Sequence, residues 1–146
     1  MPSTSTSGRE KLSAIVTSFN EQINIQECLE SLSFADEVLL VDSFSTDRTL
    51  EIAREIPGVR ILQREYFGSA AQKNWAMDQT LHPWILIVDA DERVTPGLAR
   101  EIVELIERGP SADYYSIRRR NLFLDRIIRH SGWSTDKVVR LVRRGM

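Results

Sequence analysis

Four short apolar runs, Leu12 to Thr17, Val38 to Val41, Val59 to Leu62 and Trp84 to Val88, punctuate the N-terminal part of this chain without strict apolar/polar alternation. Strands of that kind are covered on both faces, which is the habit of parallel sheets. The segments between them follow helical spacing. Asn24 to Leu32 places Ile25, Cys28, Leu29 and Leu32 on one face, and Leu50, Ala53 and Ile56 repeat before Pro57-Gly58 stops the pattern. A third helix is expected from Ser69 to Leu81, and Thr95-Pro96 supplies an N-cap and a first-turn proline for a fourth, with Leu98, Ile102, Leu105 and Ile106 as its buried stripe. Strands alternating with helices predict an α/β fold, a doubly wound and mostly parallel sheet with helices on both faces.

The chain divides, on this reading, into a tail over 1–11, disordered through the Ser/Thr-rich stretch Met1 to Gly8, and one domain over 12–146. Residues 12–110 form the doubly wound part. Residues 111–146 form a basic extension with a strand at Tyr114 to Arg118, an amphipathic Leu122 to Ile128 and an apolar run at Val138 to Val142. No linker composition separates the two.

Composition narrows the class further. With 146 residues, 42% of them hydrophobic, and one cysteine, the chain is long enough for a single core and cannot form an internal disulfide. Cys28 reads as a small buried hydrophobe. No run approaches the ~20 apolar residues that cross a bilayer, and the N-terminus lacks an apolar signal, so a cytoplasmic location is expected. The net charge of −2 hides an asymmetry: residues 118–146 carry nine basic side chains against Asp125 and Asp136, and the remainder is correspondingly acidic. The basic end is either a solvated face or a site for an anionic ligand or surface.

Open α/β sheets bind ligands beyond the carboxyl ends of their strands. In this chain those ends carry Asn20 and Glu21, then Asp42 and Asp47, then Asp89, Asp91 and Glu92. Such a concentration of acids calls for a cation or for hydrogen-bond donors. Asp89-Ala90-Asp91, directly after an apolar strand, suits a hard divalent ion, Mg²⁺ or Mn²⁺, that bridges a diphosphate. The competing reading is a surface turn whose aspartates cap the next helix. Asp42 could accept from a base or ribose edge, whereas Asp47 suits a helix cap. Neither glycine-rich phosphate fingerprint is present, which argues against a dinucleotide oxidoreductase and a P-loop kinase.

Thr17-Ser18-Phe19-Asn20-Glu21, the V-D-S-F-S-T-D-R-T run from Val41 to Thr49, Gln72-Lys73-Asn74 and the D-A-D-E-R run from Asp89 to Arg93 together resemble the family 2 glycosyltransferases of the GT-A type. The R-R-N-x-F-L-x-R-x-I-R-H-x-G-W stretch from Arg119 to Trp133 and the R-L-V-R-R run from Arg140 to Arg144 are similar to the bacterial branch that transfers lipopolysaccharide core or capsule sugars. The resemblance implies a metal-dependent, inverting transfer of a hexose from a nucleoside-diphosphate sugar to a lipopolysaccharide or lipid-linked acceptor. It implies that Asp42 contacts the base, Asp89 the ribose and Asp91 the metal, that Asn20 and Glu21 line the nucleotide pocket, and that Lys73 meets a phosphate.

Two departures stand out. Ser43-Phe44 replaces a commoner Asp-Gly, and Phe44 should stiffen a turn that glycine would leave permissive. Family members also continue beyond the R-L-V-R-R run into a segment holding a catalytic carboxylate and part of the acceptor pocket, so the chain is expected to hold the donor half and to lack part of the acceptor half. Within the chain, Asp136 is the acid left to serve as general base, with His130 as the lesser alternative. The basic segment, with Phe123 and Trp133 interleaved, would suit an anionic membrane surface on the cytoplasmic side or a phosphorylated lipid-linked acceptor. Nucleic acid is not expected as a partner, because no recognition motif is present and the acidic rim opposes it.

Overall fold

The computed structural model describes residues 9–128 and 137–145. Strands β1 (Leu12–Ser18), β2 (Glu37–Asp42), β3 (Val59–Gln63) and β4 (Trp84–Asp89) alternate with helices α1 (Ile25–Glu30), α2 (Thr49–Arg54) and α3 (Ser69–Asp78). After the two-residue β5 (Arg93–Val94) come α4 (Pro96–Arg108), β6 (Tyr114–Arg120), β7 (Phe123–Ile128) and β8 (Lys137–Arg143). All eight strands join one sheet in the order β3-β2-β1-β4-β8-β6-β7-β5. The first four are parallel to one another, while β8 runs antiparallel to β4 and β6 runs antiparallel to both β8 and β7.

Strands β1, β2 and β4 are buried on both sides, as expected, whereas β3 at the sheet edge is only half-buried. Leu12, Ala14, Val16, Leu40, Leu86 and Val88 face one core with Cys28, Leu29 and Leu32 of the α1 region and Leu98 and Ile102 of α4. Ile15, Leu39, Val41 and Ile85 face a second core closed by Ala76 of α3, with Trp75 against it. Each wholly buried aliphatic side chain contributes ~1.5–3 kcal/mol of transfer free energy, so two opposed apolar layers fix the register of the central strands.

Helix ends follow local chemistry. The Thr95 hydroxyl accepts from the Leu98 amide at 3.1 Å with Pro96 at the first turn. Asp47 accepts from the Thr49 amide at 2.9 Å where α2 begins. Cys28 is fully buried.

The expected tail over 1–11 is too long. The Arg9 guanidinium bonds Asp36 at 2.9 Å, and Glu10 accepts from the Trp84 indole and from Arg143, each at 3.1 Å. Charged side chains with fixed partners order these residues against the start of β2 and against β4 and β8. The amphipathic stretch after Leu122 is a strand paired with β6 through a two-residue loop at Asn121 and Leu122. That hairpin and β8 place the basic segment in the same sheet as the parallel strands.

Candidate active site

In the sheet, β1 lies between β2 and β4, with Thr17 paired to Val41 on one side and to Asp89 on the other. The three strand ends carrying the acids therefore meet on one rim. Two loops dominate it. The Asn20 side-chain carbonyl accepts from the backbone amides of Thr46 at 2.8 Å and Asp47 at 3.3 Å, and the Asn20 amide donates to the Ser45 hydroxyl at 2.8 Å. Glu21 adds a bond from its amide to Thr49 and accepts from the Asn24 side chain at 3.1 Å. Burial alone would raise the Asp47 carboxyl, but the Thr49 hydroxyl and amide and the Gln22 amide hold it below the ordinary carboxylate range.

Asp42 has no exposed surface. Its oxygens accept from the Ser18 hydroxyl at 2.7 Å, the Ser45 hydroxyl at 2.6 Å and the Ser45 amide at 2.7 Å. The carboxylate thus works as a buried knot between the ends of β1 and β2, and the neighbouring Ser43 is what reaches the cavity wall. Phe44 takes φ +59° and Asn20 takes φ +51°. Asparagine tolerates that left-handed region; phenylalanine at the same geometry is strained, in line with the glycine that the sequence leads one to expect there.

A cavity of about 510 Å³ opens on this rim, lined by Thr17, Ser18, Phe19, Glu21, Ser43, Tyr66 and Gln72. Gln72, on α3, is 1% exposed; it donates to the Ser43 hydroxyl at 2.9 Å, and its Oε1 has no partner. Sequence reading gave Gln72 and Ser43 no role, since only tertiary packing brings α3 over the end of β2.

The Asp89-Ala90-Asp91-Glu92 segment is a tight turn closed by the Glu92 amide donating to the Asp89 carbonyl at 2.9 Å. The Asp89 carboxylate lies between two cations, Lys73 Nζ at 3.4 Å and Arg140 Nη2 at 3.5 Å. Asp91 is half-buried and makes no side-chain hydrogen bond or ion pair among the described residues. Neither aspartate caps α4, because Thr95 does so. The capping alternative to a ligand role is thereby removed.

Glu92, grouped by sequence with the acidic rim, is wholly buried and bound in bidentate fashion by Arg140 at 2.7 and 2.9 Å. Burial keeps its carboxyl above the ordinary range against the opposing pull of Arg140. Part of the basic segment is therefore spent inside the protein: Arg140 is 5% exposed, and Arg143 bonds Glu10 and lies over the Trp84 ring at 4.7 Å. Arg118 and Arg126 remain exposed and are cross-strand partners. Asp136, His130 and Trp133 lie outside the described residues.

Among the described residues no three His, Cys, Asp or Glu side chains are grouped to cage a metal. Asp91, without a side-chain partner among the described residues, and Asp89, which two cations share, offer oxygen donors of the kind that suit a divalent ion completed by substrate phosphates, so the residues present fit Mg²⁺ or Mn²⁺.

Residues 13–144 match the sequence model of Glycosyl transferase family 2. The chain belongs to this family. The lipopolysaccharide core biosynthesis glycosyltransferase LpsC of Rhizobium meliloti (strain 1021) is 30% identical over 143 residues, spanning 92% of this chain and 51% of LpsC. An uncharacterized glycosyltransferase of Rickettsia felis is 36% identical over 107 residues, or 73% of this chain and 37% of that protein. Among solved structures, the mannosyltransferase PcManGT from Pyrobaculum calidifontis, in complex with GDP-Man and Mn²⁺, superposes with a TM-score of 0.65 at 27% identity, over 78% of this chain and 37% of that one. S. aureus TarS 1-349 in complex with UDP-GlcNAc gives 0.66 at 26% identity, over 86% and 37%. The GT-A fold expected from the motifs is thus the fold found, and this family 2 chain spans about half the length of LpsC and less of the other relatives.

Proposed function

We infer that this chain binds a nucleoside-diphosphate sugar at the rim of β1, β2 and β4 and serves metal-dependent, inverting transfer of a hexose to a lipopolysaccharide-core or related lipid-linked glycan acceptor. The observation that carries this reading is the Asp89-to-Glu92 turn, in which Asp91 has no side-chain partner among the described residues and lies beside Asp89 and its two cations. The solved relatives hold GDP-Man with Mn²⁺ and UDP-GlcNAc, which supports the donor class, and the name of LpsC supports the acceptor class.

In this reading the base enters the cavity lined by Thr17, Glu21, Ser43 and Gln72, with Asn20 and Asp42 bracing its wall from behind through their bonds to the loop after β2. Asp89 receives the ribose. Lys73 would exchange its contact with Asp89 for a diphosphate oxygen. Asp91 would hold the divalent ion, which when bound offsets the charge of the leaving diphosphate. Asp136 is proposed as the base that takes the acceptor hydroxyl proton as the oxygen attacks the anomeric carbon. The exposed Arg118 and Arg126 would attract an anionic acceptor or the anionic cytoplasmic leaflet, each contributing about 1 kcal/mol near such a surface.

Calorimetry with UDP- and GDP-sugars, with and without Mn²⁺, tests the donor site, and Asp91→Asn tests the metal. Mn²⁺-dependent binding that Asp91→Asn abolishes is expected. Absence of nucleotide binding would overturn the reading, and binding with neither transfer nor donor hydrolysis would reduce it to a donor-binding module.

A further inference from the structure

Arg140 and Glu92 lie far apart in sequence, one on β8 and the other in the turn after β4, yet they form the most buried ion pair among the described residues, with side-chain exposures of 6% and 0%. Strand β8 is antiparallel to β4, with Leu141 opposite Leu86, which brings Arg140 to the carboxyl end of β4. There its Nη1 donates to the Ile87 carbonyl at 3.1 Å and to Glu92 Oε1 at 2.7 Å, and its Nη2 donates to Glu92 Oε2 at 2.9 Å. Glu92 in turn accepts from the Asp89 amide at 2.9 Å, while its own amide donates to the Asp89 carbonyl at the same distance. The turn that presents Asp91 is therefore closed from both ends by Glu92, and Glu92 is held by Arg140. The Arg119 Nε stands 3.4 Å from the same carboxylate.

Stability alone gives no reason for this pair. Desolvating two charges offsets much of their attraction, and an apolar pair of similar volume generally serves a core as well or better. What an apolar pair cannot supply is an acceptor for the Asp89 amide and a planar fork that fixes where that acceptor sits.

We propose that Arg140, acting through Glu92 and through its own 3.5 Å contact with the Asp89 carboxylate, is a positioning residue for the Asp89-to-Asp91 turn, so that a strand outside the four parallel ones sets the direction in which the donor-site carboxylates point. The proposal deepens the donor-binding reading and rests on it for the consequence to metal, but not for the geometry of the turn. Groups that hold a metal-binding side chain in place in this way change metal affinity by about 10- to 100-fold when removed.

The test uses the whole chain and three variants: Arg140→Lys, which keeps the charge and loses the fork; Glu92→Gln, which weakens the fork but keeps an acceptor; and the double variant Glu92→Met with Arg140→Met, which substitutes an apolar pair. Hydrogen exchange at the Asp89 and Glu92 amides reads the turn, the thermal midpoint reads the fold, and Mn²⁺ affinity in the presence of saturating UDP or GDP reads the site. In Arg140→Lys and in the double variant, exchange at Asp89 and Glu92 should accelerate about tenfold or more relative to β1 amides, with Mn²⁺ affinity falling about tenfold or more and metal-free nucleotide affinity changing less than about threefold. Glu92→Gln should fall between these and the parent chain. If the double variant keeps slow exchange at both amides and Mn²⁺ affinity within about twofold, the positioning role is wrong. Should the double variant fail to fold, Arg140→Lys decides by the same two readouts. If the parent chain binds neither nucleotide, the donor-binding reading fails by itself, and amide exchange still decides whether Arg140 holds the turn.

Discussion

The side-chain carbonyl of Asn20 accepts from the Thr46 backbone amide at 2.8 Å, tying the loop after β1 to the loop after β2. Because that oxygen also accepts from Asp47, Asn20→Ala leaves two loop amides without their partner. A loss of about 1–2 kcal/mol in unfolding free energy is expected, since each such bond is worth ~1 kcal/mol net at a partly wet site. Donor affinity should fall with it. Urea denaturation beside calorimetry checks both, and unchanged stability would show that the loops are held by other contacts.

Lys73 and Asp89 are 3.4 Å apart with Lys73 partly exposed, so the lysine is free to turn toward a phosphate at little structural cost. Lys73→Met should leave the thermal midpoint within a few degrees and weaken a nucleoside diphosphate about tenfold, which is about 1.4 kcal/mol, while leaving the nucleoside itself unaffected. Equal loss for nucleoside and diphosphate would place Lys73 away from the phosphates.

Phe44 at φ +59° is 54% exposed, so its ring contributes little packing and its backbone pays for a left-handed conformation. Strain of ~1–2 kcal/mol would be relieved by Phe44→Gly, against a glycine entropy cost of ~0.5–1 kcal/mol. The variant should unfold at the same temperature as the parent chain or slightly higher. A clear drop in midpoint would mean that the Phe44 ring has a packing role.

Burial alone would raise the Asp36 carboxyl, but the Leu12 amide and the Arg9 guanidinium outweigh it and hold the group below its ordinary value of 3.8. A carboxyl with a depressed folded value contributes stability that is fully present above 3.8 and is lost as pH falls through the lower folded value. The stability gap between parent and Asp36→Asn should therefore be widest near neutrality and close below pH 3.8. Denaturation at a series of pH values measures it, and a gap independent of pH would contradict the ion pair.

Cys28 lies wholly inside the α1 layer with Sγ 3.6 Å from the Asp89 carbonyl, and burial pushes its thiol far above the ordinary range. Thiol reagents should react with it only as fast as the chain opens, and at ordinary rates in denaturant. Rapid labelling of the native chain would place the sulfur nearer the surface than 0% exposure allows.

Much of this protein is written in local pattern. The four parallel strands, the four helices, the Thr95 cap, the burial of Cys28 and the location of the acids at strand ends all follow from apolar spacing and capping chemistry, which depend on neighbours in sequence. Family membership was legible for the same reason, because its motifs sit at those strand ends. Tertiary structure decided which polar groups share which partners. The register of β8 on β4 turns Arg140 from a surface residue into the buried mate of Glu92, and the approach of β1 to β2 buries Asp42 beneath Ser18 and Ser45 while Ser43 reaches the cavity. The packing of α3 gives Gln72 its place in that cavity. The two-residue β5 has no periodicity to detect and exists because Arg93 and Thr95 amides reach Leu122 and Leu124. Hydrophobic period names the face a residue occupies; only the pairing of distant strands names what it meets there.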